Sequence, residues 1–312
     1  MLTLRQLQYF VALADVRHFG KAAERCCVTQ PALSMQIKEL EDALGVQLVS
    51  RRRGHIELTD DGEAIVARAQ ALLSTAHELH DYARHRSKTL VGELRLGVIP
   101  SVAPYLLPKI LAQAQSRYPQ LQLKLHELLT APLIDGLNAG VLDAIIIALP
   151  VSDPLIASMP MFEDAFLLAR RRTAPETSDP LVTIDSLRHE NMLLLNDGHC
   201  LRDQALSFCS WIDPQTLAAF GASSLTTIMR LVAGGYGVTL LPEIAAEAEL
   251  VDPRIELLRF APPAPQRTIG LAWRKASTRS KDFVALGRLI IETQAGARSG
   301  SRRIAQNQHH IA

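Results

Sequence analysis

The sequence predicts an α/β chain in three parts: an N-terminal winged helix-turn-helix, a long linker helix and a two-lobed α/β domain. Three patterns carry this. Within the first sixty residues, two short helical stretches flank a capped turn and a hairpin-like segment follows them. Ile65, Ala69, Leu72, Ala76, Leu79 and Ala83 then alternate at spacings of four and three, the seam of one long helix. From Glu93 onward, strand-like alternation and helix-like periodicity take turns, the order that builds a sheet covered by helices.

In chain order, residues 4–17 form an amphipathic helix with Leu7, Phe10, Val11 and Ala14 on one face. Gly20 to Cys26 is a short helix in which small Ala22 and Ala23 permit a close crossing. Val28 and Thr29 make the turn, Thr29 caps the next helix, and Pro31 stands at its first position, where a missing amide hydrogen is no loss. Leu33, Ile37, Leu40 and Leu44 form the buried stripe of that helix and leave Gln30, Ser34, Met35 and Lys38 facing away. A short, polar face near a helix N-terminus suits the major groove of duplex DNA. Gln30, Pro31, Ser34 and Lys38 are therefore the expected contacts, with Gln30 and Ser34 at base edges and Lys38 at a phosphate or guanine. Gln47–Arg52 and His55–Leu58 pair around Arg53-Gly54 as a wing whose Arg51, Arg52 and Arg53 lie along the DNA backbone. Cys26 and Cys27 read as small packing residues.

Thr59-Asp60-Asp61-Gly62-Glu63 starts the linker helix with acid in its first turn, and the apolar seam makes a dimer the default. The helix ends at a polar hinge, His85 to Lys88. Strands are then expected at Leu94–Val98, Leu121–Leu125, Leu142–Leu149, Phe166–Arg170, Met192–Leu195, Gly237–Leu241 and Thr268–Trp273. Helices are expected at Pro104–Ser116, Ala131–Asn138, Leu225–Ala233 and Asp282–Thr293. The run Leu142–Leu149, apolar but for Asp143, reads as a doubly covered parallel strand. Pro100-Ser101, Thr130 and the Gly198–Cys209 stretch lie just past element boundaries, so a shared cleft is expected at strand carboxyl ends. The domain division is 1–58 winged helix-turn-helix, 59–88 linker and dimerisation helix, 89–296 two-lobed regulatory domain, and 297–312 a polar, disordered tail.

Composition narrows the function classes. A 48% apolar, 21% charged chain of 312 residues is an ordinary globular protein with room for several cores. No apolar core of a signal peptide and no membrane-spanning run are present in the sequence, so the expected location is the cytoplasm, with no membrane partner. Four cysteines are too few for a disulfide scaffold, and none has the two-residue spacing of common zinc motifs, so neither metal nor cofactor is expected. A net charge of +1 assigns any DNA affinity to local clusters.

Two of the four cysteines, Cys200 and Cys209, sit in Gly198-His199-Cys200-Leu201-Arg202-Asp203-Gln204-Ala205-Leu206-Ser207-Phe208-Cys209. The run 191–195, apolar from Met192 onward, reads as a buried strand and the residues after Cys200 as a helix, so Cys200 falls at a strand-to-helix junction. The positive end of a helix dipole, with Arg202 and His199 beside it, favours the thiolate. Nine residues of intact helix hold two sulfurs roughly 13 Å apart, so Cys200 and Cys209 can join only if the segment between them unwinds or is never a regular helix. Such a pair is either a two-state redox switch or two idle thiols, and spacing alone leaves both open.

Ala22-Ala23, Val28 to Ser34, Gln36-Ile37, Leu40-Glu41, Leu44-Gly45-Val46 and Leu58-Thr59 together resemble the N-terminus of LysR-type transcriptional regulators. Leu94 to Gly97, Ile99-Pro100, Pro104 to Pro108, Asp197 to Ala205, Phe208-Cys209 and Arg267 to Leu271 resemble the hydrogen-peroxide-sensing members of that family. The resemblance spans the chain up to the tail. It implies a regulatory domain of the kind found in periplasmic binding proteins, with Cys200 as the peroxidatic and Cys209 as the resolving cysteine. It also implies a peroxide pocket of Ser101, Thr130, His199, Asp203 and Arg267, with Ser101 standing where a threonine is common and keeping its hydroxyl. Further expectations are a homotetramer (a dimer of dimers) on promoter DNA, activation of antioxidant genes through RNA polymerase, and resetting by a thiol reductant such as glutaredoxin or thioredoxin.

Thiolate attack on a peroxide expels hydroxide, a poor leaving group unless a proton reaches it. The expected division of labour has Ser101 and Thr130 holding peroxide, Asp203 and His199 relaying the proton, and Arg267 orienting Asp203 and favouring thiolate. The chain is expected to be a sensor that reacts once and is reset, not an enzyme that turns over. Its rivals are a LysR-type regulator answering a small-molecule effector without redox chemistry, a metal sensor built on the two cysteines and a histidine, and a thiol peroxidase.

Overall fold

The computed structural model describes residues 2–52, 55–84, 89–172, 181–208 and 222–308. Two compact units form, residues 1–87 with 135–142, and residues 88–134 with 143–312. In the first, Thr3 caps α1 (Leu4–Val16) with a capping box closed by Gln6. The helix buries Leu7, Phe10 and Leu13, where the sequence pointed to Ala14; Ala14 is only half-buried. The larger leucine fills the gap between helices better than a methyl group one position along. α2 (Phe19–Arg25) and α3 (Gln30–Leu44) follow, and the Thr29 hydroxyl accepts from the Ala32 amide at 3.4 Å as expected of a cap. Leu33, Ile37 and Leu40 are buried, whereas Leu44, the last of the expected stripe, is 37% exposed at the helix end. β1 (Val49–Arg52) and β2 (His55–Leu58) pair antiparallel as the wing, with Arg53 and Gly54 of the turn outside the described residues.

The linker helix α4 (Asp60–Arg84) runs 25 residues, with Asp60, Asp61 and Glu63 complementing the positive helix end. Its first turns belong to the N-terminal core: Ala69 is buried and Ile65, Val66 and Leu73 pack at the edge. Leu72 and Leu79 of the same seam are 52% and 72% exposed. Ala83 of the seam has no described side chain, and the His85 to Lys88 hinge lies outside the described residues.

The second unit is a mixed seven-stranded sheet in the order β4-β3-β5-β9-β6-β7, with β8 also on β6. β3 (Gly92–Val98) pairs in parallel with β4 (Leu121–Glu127) and β5 (Ala144–Leu149). The apolar run in β5 is buried as expected, yet its second neighbour, β9 (Gln266–Arg274), is antiparallel. An apolar run reports burial on both faces; it carries no information about neighbour direction. Phe166–Arg170 is the end of β6 (Ile156–Arg171), one 16-residue strand pairing with β9, β7 (Thr239–Pro242) and β8 (Ile255–Arg259). Met192–Leu195 is buried but makes only isolated bridges, to Val238 and Ala222, instead of a strand.

Helices α5 (Ala103–Arg117), α7 (Cys200–Phe208), α8 (Leu225–Gly234) and α9 (Glu243–Glu249) belong to this unit with a 3₁₀ turn at Ile184–His189, as does the first turn of α6 (Thr130–Asn138), whose residues from Asp135 group with the first unit. The turn, α9 and β8 are too short for periodicity to reveal. The closing helix α10 (Ser280–Gln308) overruns the expected Thr293 end and enters the region read as a disordered tail. Arg279 and Asp282 dock its first turn: Asp282 Oδ1 accepts from the Leu90 amide at 3.0 Å and Arg279 Nη1 donates to the Glu93 carbonyl at 2.7 Å. Once nucleated there, a helix propagates through residues such as Ala, Arg and Gln, which polarity alone does not prevent.

Candidate functional site

β3 and β4 run parallel, so their carboxyl ends open on the same side of the sheet. Ser101 lies just past β3 and two residues before α5 begins, and Thr130 is the first residue of α6. Cys200 is the first residue of α7, and Gly198 just before it holds φ +87°, where an added Cβ would lie 3.1 Å from the Leu129 side chain. Ile99, Pro100, Ser101, Leu129, Thr130, Gly198, His199, Cys200 and Leu201 together line one small pocket. The starts of α6 and α7 thus line it, and the positive ends of their dipoles favour negative charge. Cys200 is a free, half-buried thiol. The Thr130 hydroxyl is buried without a hydrogen-bond partner among the described residues. A hydroxyl of this kind on a pocket wall can donate to or accept from a bound molecule.

Ser101 is buried, and so is Arg267 on β9. Arg267 Nη1 donates to the Ser101 hydroxyl at 2.9 Å and Nη2 to the Ser101 carbonyl at 3.2 Å. Its Nε donates to Asp164 Oδ2 at 2.9 Å, and Asp164 stands directly across from it on β6. The other carboxylate oxygen of Asp164 accepts from the Ile244 amide at the start of α9, at 2.9 Å. Burial pushes the Asp164 carboxyl up from its ordinary range, and the Arg267 charge and these hydrogen bonds pull against it. The expectation that Arg267 orients Asp203 is therefore corrected. Asp203 is exposed on α7 and does not line the pocket, and the guanidinium's acid is Asp164. Sequence reasoning missed Asp164 because the pairing spans 103 positions and only strand register brings the two side chains together.

His199 is buried, and burial lowers its imidazole below the ordinary histidine range, so the neutral ring is favoured. Arg202 donates from Nη1 to the Leu195 carbonyl at 3.2 Å and pairs through Nε with Asp197 at 2.9 Å, tying the first turn of α7 back to the segment that enters it. Of the expected peroxide pocket, Ser101, Thr130 and His199 line one pocket with Cys200, Arg267 bonds to Ser101 from outside the lining, and Asp203 is apart from it. Cys209 lies outside the described residues. Gln30, Pro31 and Lys38 are exposed at and beyond the start of α3, and Ser34 is half-buried. Arg51 and Arg52 are in β1, and Arg53 is outside the described residues. Among the described residues, no helix is long and apolar enough to cross a membrane, and no cluster of three or more His, Cys, Asp or Glu could hold a metal ion.

Residues 4–63 match the bacterial regulatory helix-turn-helix protein of the lysR family, and residues 87–295 match the LysR substrate binding domain. The chain is 38% identical over 289 residues to the DNA-binding transcriptional dual regulator OxyR of Escherichia coli K12, covering 93% of this chain and 95% of that one. It superposes on a full-length OxyR variant from Pseudomonas aeruginosa with a TM-score of 0.76 at 37% identity, covering 93% and 95% of the two chains. A hydrogen-peroxide-bound OxyR mutant from Corynebacterium glutamicum gives a TM-score of 0.68 at 32% identity over 97% of this chain and 96% of that one. With both domain matches in register with the two kinds of architecture described above, the chain belongs to the LysR family of transcriptional regulators, and the members it resembles over most of its length are OxyR proteins.

Proposed function

We propose that this chain is a redox-responsive transcriptional regulator that senses hydrogen peroxide at Cys200, converts the signal into a Cys200–Cys209 disulfide and activates antioxidant genes. One observation carries the reading: a free thiol on the first turn of α7 shares a small pocket with the Ser101 hydroxyl and the orphaned Thr130 hydroxyl. A molecule of two oxygens matches that pair of hydroxyls facing a sulfur. The Cys200 thiolate attacks one oxygen, the S–O bond forms as the O–O bond breaks, and the bonding pair leaves with the second oxygen. Solvent protonates that oxygen to water, leaving a sulfenic acid. The Cys209 thiol then displaces the sulfenic hydroxyl as a second water and closes the disulfide.

The mechanical consequence follows from helix geometry. Cys200 and Phe208 are the ends of a nine-residue helix, roughly 12 Å apart along the axis. Cys209 is the next residue, so its Cα stays at least about 8 Å from that of Cys200 while α7 is whole. A disulfide needs Cα atoms within about 7 Å, so the bond cannot close while α7 is whole.

Gln30, Pro31, Ser34 and Lys38 of α3 and the wing residues Arg51, Arg52 and Arg53 contact duplex promoter DNA in this reading. α4 pairs two copies, a dimer of dimers occupies the promoter in the cytoplasm, and RNA polymerase is the partner that reads the change. The division into residues 1–58, 59–88 and 89–296 assigns reading, pairing and sensing to separate stretches. A cellular dithiol reductant of the glutaredoxin or thioredoxin kind resets the switch, so the protein is consumed and restored instead of turning over. The test is to treat reduced protein with near-equimolar hydrogen peroxide and map peptides by mass. An intramolecular Cys200–Cys209 link, together with a peroxide-blind Cys200→Ser protein, is the expected result. Inducible transcription that survives Cys200→Ser overturns it in favour of a small-molecule effector.

A further inference from the structure

Asp164 lies behind the pocket and not in it, yet the wiring of hydrogen bonds leads from its carboxylate to the reacting atoms. A serine hydroxyl has one proton to give and lone pairs to receive. Where Arg267 Nη1 donates into the Ser101 oxygen at 2.9 Å, one lone pair is used and the O–H proton is left to point at another acceptor. The Ser101 residue lines the pocket, so that acceptor is whatever occupies it. Resting on the peroxide reading above, we infer that Asp164 is a positioning residue: it fixes Arg267 on the Ser101 oxygen, which leaves the Ser101 O–H to donate to the peroxide oxygen that departs as Cys200 attacks the other.

Three features make Asp164 the anchor. It is 1% exposed, so solvent does not compete for its oxygens. Its two oxygens are separately engaged, Oδ2 by Arg267 Nε and Oδ1 by the Ile244 amide, so the carboxylate plane cannot swing. Arg267 is pinned in turn, since it donates to both the hydroxyl and the carbonyl of Ser101 and its guanidinium carbon sits 5.8 Å over the Phe166 ring. A cation touching the Ser101 oxygen also strengthens that hydroxyl as a donor. The donor hydrogen bond stabilises the charge on the departing oxygen while the O–O bond breaks, and solvent supplies the proton that finally makes water.

The test compares two reagents on Cys200 in a Cys209→Ser background, with residual thiol quantified by mass spectrometry. Peroxide needs a donor at its leaving oxygen; iodoacetamide expels iodide, which needs none. Asp164→Asn keeps the volume and removes the charge. It should slow peroxide oxidation by about tenfold or more while alkylation stays within about twofold. In a Ser101→Ala background the same substitution should slow peroxide oxidation little further, because the donor it positions is already gone. An equal fall with both reagents, or a full additional fall in Ser101→Ala, overturns the inference, since a general loss of structure predicts both. Asp164→Glu, with the charge retained one methylene away, should fall between wild type and Asp164→Asn in the same rate ratio, and serves as the readout if the asparagine variant does not fold. If wild-type Cys200 reacts with peroxide no faster than a free cysteine, the peroxide reading itself is lost, a result seen before any Asp164 variant is made.

Discussion

Thr130 gives the sharpest residue-level prediction. Its hydroxyl is buried and unpaired, which costs about 1–3 kcal/mol in a protein interior. Thr130→Val should raise stability to denaturant by about 1 kcal/mol while weakening the concentration dependence of Cys200 oxidation on peroxide. A variant that is destabilised and still oxidised normally contradicts a ligand role. His199 supplies a pH dependence. Its folded-state pKa lies below the ordinary value, so on acidification the unfolded chain takes up a proton that the folded chain refuses. Stability contributed by this site is therefore full well above the unfolded histidine pKa and falls as pH drops through it. Urea unfolding at about pH 7.5 and about pH 5.5 should show a larger acid loss in wild type than in His199→Gln.

At the scale of the element, α2 ends in a left-handed cap filled by the wrong kind of residue. Cys27 holds φ +54°, the Cys27 amide donates to the Glu24 carbonyl at 3.1 Å, and the Val28 amide donates to Ala23 at 3.0 Å. That pair of bonds closes a helix on a residue that is usually glycine. Cys27→Gly should stabilise the N-terminal unit by up to about 1 kcal/mol, read from thermal or denaturant unfolding. The same few residues show what was legible locally. Thr29, Pro31 and the Leu33-Ile37-Leu40 stripe could be read from spacing because a cap and a helical face are short-range patterns. Met192–Leu195 was misread as a strand because an apolar run reports burial, and the strand partners that would complete a ladder are set elsewhere in the chain.

For the whole molecule, the proposed pairing of two copies rests on the exposed seam of α4. Leu72 and Leu79 are 52% and 72% exposed, while Ala69 one turn earlier is buried in the core of its own unit. In the proposed pairing these two leucines, seven positions apart on one helix, are the surface that a second copy covers. Leu72→Glu with Leu79→Glu should lower the assembly state, measured by sedimentation, with the fold of each chain intact by circular dichroism. Unchanged assembly would place the contact on another surface. The sequence by itself determined the helix-turn-helix, the linker helix and the place of Cys200 at a helix start, because caps, seams and junctions are written in neighbouring residues. Only the tertiary structure decided that Arg267 answers to Asp164 and not to Asp203. That choice is made by the antiparallel register of β6 on β9, which joins residues 103 positions apart and leaves no trace in the spacing of either strand.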